Sequence, residues 1–347
     1  MKPTVLDSLN QGLLAALQAD PAVHLLGEDI LDPYGGAFKV TRGCSTAFPD
    51  RVIPTPISEA GLAGVTAGMA LRGLKPVLEI MFGDFTTLLA DQLINHISKF
   101  RWMYNDSVSL PLVIRTPMGG RRGYGPTHSQ SLEKLFLGVP GLTVLAPANF
   151  SIGEDSPGRL LKNTILNTDS PVLFIENKLQ YLQPLLTLEE LSDFDVDVRY
   201  DPGDTHQQFP FYVLRIKGAP QASISISAYG YSAEMARQAQ LKLAFEEEIF
   251  CELIVPTRLS PFALQPLVDS VSRTGRVLLV EEGTRSLGWG AEVAALLAEA
   301  LGDKLKQVKR LAALETPVPA AVSLEKVMLP QQEDIENLLR KMSAQNA

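Results

Sequence analysis

The sequence predicts an α/β protein of two doubly wound units, each a mainly parallel sheet covered by helices on both faces. Short apolar runs bounded by turn residues alternate with longer segments of helical period, the pattern of a parallel sheet buried on both sides. At 347 residues the chain exceeds the usual size of one core. The alternation stops once, over residues 183–220, and then resumes.

The elements follow in order. Val5 to Gln18 has apolar residues at helical spacing and reads as a helix. Val23 to Leu26 is a short strand, and Asp32 to Gly43 a loop with Pro33, Gly35 and Gly36. A helix begins after Pro56, where proline disfavours helix before it and permits it after. Lys75-Pro76 ends that helix, and Val77 to Met81 is a strand. Asp84 to Tyr104 reads as one helix, with Leu89, Leu93, Ile97 and Arg101 at four-residue steps. Pro111 to Arg115 is a strand, Gly119 to Gly125 a glycine-rich loop, Leu132 to Leu137 a short helix and Leu142 to Ala146 a strand. Helix Pro157 to Leu166 and strand Val172 to Glu176 close the first unit, residues 1–182.

Residues 183–220 are acidic, with Pro184, Pro202, Pro210 and Pro220, and read as a linker holding one irregular strand at Phe211 to Ile216. The second unit, residues 221–347, repeats the rhythm. It has strands Ser223 to Ala228, Ile249 to Val255, Arg276 to Glu281 and Val308 to Ala312. Its helices are Ser232 to Phe245, Pro261 to Ser272, Gly288 to Ala300 and Gln332 to Met342.

Composition excludes several classes. Hydrophobic content of 46% supplies full cores, and a net charge of −8 argues against nucleic-acid or anionic-membrane surfaces. No run of 18 apolar residues predicts a membrane span. Cys44 and Cys251 fit no metal or redox spacing, and are expected as free buried thiols. The N-terminal segment shows no signal-peptide cleavage pattern, so a cytoplasmic location is expected.

The stretch Ile57 to Gln92 organises the chain. Glu59 falls in the first turn of a helix carrying Ala60, Gly64 and Gly68 on one line and Ala63, Ala67 and Ala70 on another. An interior glycine costs about 1 kcal/mol against alanine. So bare a helix implies close approach of another element, and the Ala60–Gly64–Gly68 line is expected to pack against another subunit. An acid in a first turn is ordinary by itself, because the helix dipole favours it there.

Thr55 to Pro76, with the strand and the Phe85 to Gln92 segment after it, resembles the beta subunit of the thiamine-diphosphate-dependent 2-oxo acid dehydrogenases of pyruvate and branched-chain type. Segments Leu26 to Gly43 and Pro111 to Pro147 are similar to the same family. So are ELIVPTRLSPF, SVSRTGRVLLVEEG, GWGAEVAALLAE and LEKVMLP in the second unit, giving nearly full coverage. Two stretches depart from it: a longer Ser151 to Leu161 segment, and Gly218-Ala219-Pro220 where the family has Gly-x-Asp.

The resemblance implies a transketolase-like pyrimidine-binding domain and a carboxy-terminal domain for oligomerisation and core binding. It implies thiamine diphosphate as cofactor, with Glu59 promoting the imino tautomer of its pyrimidine by sharing a proton. Leu62, Phe82 and Phe85 would desolvate that carboxyl. Phe85 would stack on the pyrimidine, against the alternative of an ordinary core position. Glu28, in LGED, would lie in a chain of acids linking two sites, and His128, in GYGPTHSQS, near the substrate carbonyl. Arg121 and Arg122 either attract an anionic substrate or form a solvated basic loop. Asp91-Gln92 reads as a helix-packing and interface pair rather than a site.

The Gly-Asp-Gly start of the family's Mg²⁺ site is absent; Gly83-Asp84-Phe85, Gly203-Asp204-Thr205 and Gly302-Asp303-Lys304 do not match it. This chain therefore supplies no metal ligands, and the resemblance assigns Mg²⁺ and the diphosphate to a separate alpha subunit in an α2β2 heterotetramer. The implied activity is oxidative decarboxylation of a 2-oxo acid, pyruvate or branched-chain, with acyl transfer to the lipoyl group of an acyltransferase. A thiamine-dependent acyl-transfer subunit of a biosynthetic pathway, or a catalytically silent scaffold, is the alternative. Which 2-oxo acid and which acceptor are left open.

Overall fold

The computed structural model describes residues 2–201, 204 and 209–344. Pro202 and two members of Gly203-Asp204-Thr205 lie outside the described residues.

The first sheet is built from the following parts. Helix α1 (Val5–Ala19) starts at Thr4, whose hydroxyl accepts from the Asp7 amide while the Asp7 carboxylate accepts from the Thr4 amide, a reciprocal cap. Strand β1 (Val23–Gly27), the short helix α2 (Cys44–Ala47), strand β2 (Val52–Pro54), helix α3 (Glu59–Leu71) and strand β3 (Lys75–Glu79) follow. Strand β3 begins two residues earlier than the spacing predicts: Pro76 lies inside it, paired with His24.

The Asp84 to Tyr104 stretch is helical but not one α-helix. A 3₁₀ run at Gly83–Leu89 passes through a π-turn at Gln92–His96 and a second 3₁₀ turn at Ile97–Lys99 into α4 (Phe100–Met103). Thr86 and Thr87 hydroxyls bond back to the Gly83 and Asp84 carbonyls, which competes with the α ladder. Leu89, Leu93 and Ile97 still face the core together. Strands β4 (Val113–Met118) and β5 (Thr143–Leu145), helix α5 (Pro157–Asn167) and strand β6 (Val172–Asn177) complete the unit. Glu133–Leu135 forms only a single 3₁₀ turn.

Residues 183–220 hold more structure than one irregular strand. Both β7 (Phe194–Arg199) and β8 (Phe211–Ile216) are regular, pair antiparallel and form the edge of the second sheet. That sheet continues with β9 (Ile224–Ala228), helix α6 (Gly230–Glu247) and β10 (Cys251–Pro256). Next come β11 (Arg258–Ser260), helix α7 (Gln265–Thr274), β12 (Arg276–Thr284) and helix α8 (Trp289–Leu301). The chain ends with β13 (Gln307–Ala313) and helices α9 (Val322–Met328) and α10 (Gln332–Ala344).

The orders are β11-β5-β6-β4-β3-β1-β2 and β13-β12-β9-β10-β8-β7. The sheets are therefore mixed: β10–β8 and β7–β8 are antiparallel in the second, and β11–β5 in the first. Strand β11 leaves the second unit and joins the first sheet, with Arg258 opposite Leu145 and Ser260 opposite Val144.

Helices cover both faces. Every residue of β4 is buried. Leu78, Ile114 and Leu173 face one cluster with Leu62, Ala63 and Ala67 of α3, while Val77, Val113 and Phe174 face another with Leu9, Leu13 and Leu17 of α1. Both cysteines are free and buried, and burial pushes each thiol up to about 12. No helix among the described residues is long and apolar enough to cross a membrane.

Candidate active site

Parallel strands point all their carboxyl ends to one edge of a sheet, and the loops leaving that edge form ligand sites in open α/β folds. Here β1 delivers Glu28, β2 leads to Glu59, β3 leads to Phe82, Asp84 and Phe85, β4 leads to the Gly119–Gln130 loop, and β6 delivers Lys178.

Glu59 stands in the first turn of α3 and is buried, at 6% exposure. Its carboxylate has no hydrogen-bond partner among the described residues. The half-buried Glu28 is close enough to feel that charge. Burial first, then Glu59 and Asp29, hold the Glu28 carboxyl above the usual carboxylate range. Leu62, one turn along α3, is buried in the main core of the first sheet.

An aromatic wall stands at the same end of the sheet. Phe82 and Phe85 meet edge to face at 5.7 Å. The His128 ring is edge-on to Phe82 at 4.8 Å and to Phe85 at 5.3 Å, and Tyr124 meets Phe82 at 6.0 Å. His128 Nδ1 pairs with the Thr127 hydroxyl at 2.9 Å, and Nε2 has no partner among the described residues. Phe38, from the loop after β1, meets Phe82 at 5.6 Å and brings Arg122 to 5.8 Å from its own ring. The structure thus brings Glu28, Glu59, Phe85 and His128 to one end of the sheet.

Lys178 escaped the sequence reading. It is fully buried, 5.2 Å from the Phe82 ring centroid, and its ammonium donates to the His128 carbonyl. Burial, with Arg122 adding to it, lowers its pKa to about 8 against the opposing pull of Asp84, Glu282 and Glu325. A lysine directly after an apolar strand carries no spacing signal; only the fold shows that it turns inward. The sequence predicts a helix start at Asp84 and no Gly-Asp-Gly match there. It is buried, and its carboxylate accepts from Gln130 Nε2 at 2.8 Å.

The basic loop resolves into two different roles. Arg121 is not solvated: it turns into the second unit, lies 3.5 Å from the Glu282 carboxylate and donates to the Pro330 carbonyl. Arg122 stays beside the aromatic wall. Asp91 is exposed and bonded to Asn95.

The sheet under the site carries a buried ionic row. Arg115 of β4 donates to Glu79 of β3 and, through Nε at 2.9 Å and a second nitrogen at 2.5 Å, to Glu176 of β6. The Tyr181 hydroxyl adds a bond of 2.5 Å to Glu176. Burial holds Glu79 above its usual range despite Arg115, so one cation serves two buried carboxylates. Gly36 lets the loop after β1 approach this row: a Cβ there would lie 2.5 Å from Glu79 Oε1, and its φ of +79° favours glycine.

Known proteins share this architecture. Residues 1–183 match the family model "Transketolase, pyrimidine binding domain", and residues 214–335 match "Transketolase, C-terminal domain". The "Pyruvate dehydrogenase E1 component subunit beta" of Rickettsia bellii is 31% identical over 99% of both chains. The mitochondrial "Pyruvate dehydrogenase E1 component subunit beta-1" of Arabidopsis thaliana is 36% identical over 96% of this chain and 87% of its own. A solved structure described as "Split gene transketolase, inactive beta4 tetramer" superposes with a TM-score of 0.72 over 96% of each chain, at 20% identity, and supports the fold. With both domains matched in order and relatives aligned over nearly all of this chain, the chain belongs to the family of pyruvate dehydrogenase E1 component beta subunits, built on transketolase-type domains.

Proposed function

We propose that this chain is the beta subunit of a thiamine-diphosphate-dependent 2-oxo acid dehydrogenase. It would hold the pyrimidine end of the cofactor while a separate alpha subunit, in an α2β2 assembly, holds the diphosphate and Mg²⁺. The observation that carries the reading is Glu59: a buried carboxylate, without a partner among the described residues, at the carboxyl edge of a parallel sheet that also carries an aromatic wall. A buried acid without a donor among the described residues fits a ring nitrogen that would share a proton with it.

When bound, the cofactor supplies the thiazolium carbon that acts as nucleophile and electron sink. The chain's own residues do the rest. Glu59 would share a proton with the pyrimidine nitrogen, and the charge of Glu59 is among the causes that raise Glu28. Phe85 and Phe82 offer flat apolar surface at the same end of the sheet, against which the pyrimidine would lie. His128 presents Nε2 for the carbonyl or carboxylate of a 2-oxo acid, and Arg122 adds positive charge on the same side. The acyl group would pass to a lipoyl-bearing acyltransferase.

The test is Glu59→Gln, coexpressed with its alpha subunit and assayed on a panel of 2-oxo acids. The amide keeps shape and assembly but cannot share the proton, so turnover should fall at least about a hundredfold. Wild-type turnover in the assembled variant would exclude this role.

A further inference from the structure

The Gly119–Gln130 loop closes on itself: the Gly119 amide donates to the Gln130 carbonyl at 3.3 Å. Between those ends Arg121 adopts φ +70°, a region disfavoured for a bulky side chain. Such a shape needs an outside hold, and three buried groups supply it. Glu282 of β12 accepts the Gly120 amide at 2.7 Å. Glu325 of α9 accepts the Arg121 amide at 2.6 Å and the Gly123 amide at 3.1 Å, one with each oxygen. Lys178 holds the far end at the His128 carbonyl.

Glu325 decides the reading. It is 2% exposed, and among the described residues no Lys or Arg nitrogen lies within ion-pair distance of its carboxylate. A buried carboxylate with no cation in contact is costly, and bonds from backbone amides are what offset it. Among the described residues its carboxylate accepts from the two loop amides alone. The segment around α9 also lies flat on the loop, since a Cβ at Gly123 would meet the Ala320 carbonyl at 3.1 Å.

We propose that Glu325 and Glu282 of the second domain, together with Lys178, are positioning residues that clamp the Gly119–Gln130 loop and so fix where His128 and Tyr124 stand against the aromatic wall. The clamp is a matter of geometry; its effect on turnover rests on the thiamine-site reading above. It makes the second domain part of the working site without touching the substrate.

The experiment compares wild type, Glu325→Gln, Glu325→Ala and Lys178→Met. Arg121 and Arg122 place trypsin sites inside the loop, and cleavage there tracks how often the loop opens. Losing charge-assisted bonds to two amides should speed cleavage after Arg122 at least about tenfold in Glu325→Ala. The glutamine variant, keeping one acceptor oxygen, should fall between. In the assembled enzyme turnover should drop about tenfold or more, while the thiamine diphosphate concentration for half-maximal activity stays within about twofold. Lys178→Met fills the same space without the ammonium and tests the clamp from its other end if Glu325→Ala does not fold. Unchanged cleavage in the alanine and methionine variants overturns the clamp, and faster cleavage with wild-type turnover overturns the positioning role. If assembled wild type turns over no 2-oxo acid, the thiamine reading fails, and the trypsin comparison still decides the clamp.

Discussion

Replacing Arg115 with methionine keeps the volume of the side chain and removes the charge held between Glu79 and Glu176. All three groups are buried, at 1%, 8% and 1% exposure. Two facing carboxylates without a cation cannot both stay ionised, so the folded variant must bind one proton more than the native protein. Starting from the ordinary glutamate value of 4.5, each pH unit above it costs about 1.36 kcal/mol. The loss is then about 1.4 kcal/mol at pH 5.5 and about 4 kcal/mol at pH 7.5, in line with the roughly 3–5 kcal/mol for breaking a buried ion pair. The sign follows from linkage: the variant's folded pKa is raised, so stability is present at low pH and lost as pH rises. Urea denaturation of the variant at both pH values, with wild type beside it, reads the difference. Arg115→Met/Glu176→Gln removes one carboxylate and should recover most of the loss at pH 7.5. An equal deficit at both pH values, or no recovery in the double variant, would refute this account.

Three other outcomes are expected. Gly64→Leu should fold as an isolated chain, because a Cβ there meets nothing within 4 Å. Light scattering of the coexpressed subunits should nonetheless show disrupted assembly, from overpacking of roughly 1–3 kcal/mol at the small-residue face. The isolated chain should bind thiamine diphosphate and Mg²⁺ weakly or not at all by titration calorimetry, since the Gly-Asp-Gly segment is missing. Burial lifts Glu281 to about 7 against the pull of Arg310. Its contribution is therefore present at pH 5 and lost as pH rises through 7, by up to roughly 3 kcal/mol; Glu281→Gln should flatten the melting temperature across that range.

Most regular elements were legible because their burial is written locally. Val5, Leu9, Leu13, Ala16 and Leu17 mark one helix face, and β4, β6 and β10 are apolar runs. Strand β7 was not legible. Its sequence, Phe-Asp-Val-Asp-Val-Arg, puts only Phe194 in the core at the sheet edge, and its pairing comes from β8, across residues that read as linker. Strand β11 is three residues long, and its partner lies more than a hundred positions away. The irregular turns of Gly83–Met103 reflect hydroxyl back-bonding that spacing does not encode. At the site, Glu28, Glu59, Phe85 and His128 could be named because a family pattern surrounds them. Lys178, Glu282 and Glu325 could not, since their place beside the loop comes from contacts between distant segments, and a glutamate pair at the end of a strand looks like any solvated turn.

The crossing of β11 has a consequence for biosynthesis. The first sheet cannot be finished until the ribosome has passed Ser260, well inside the second lobe. Until then β5 presents an unpaired backbone edge to the cell, a template for pairing with neighbouring chains. The nascent N-terminal half is thus exposed to aggregation during translation, and the closing of β11 over that edge ties the maturation of one lobe to the emergence of the other.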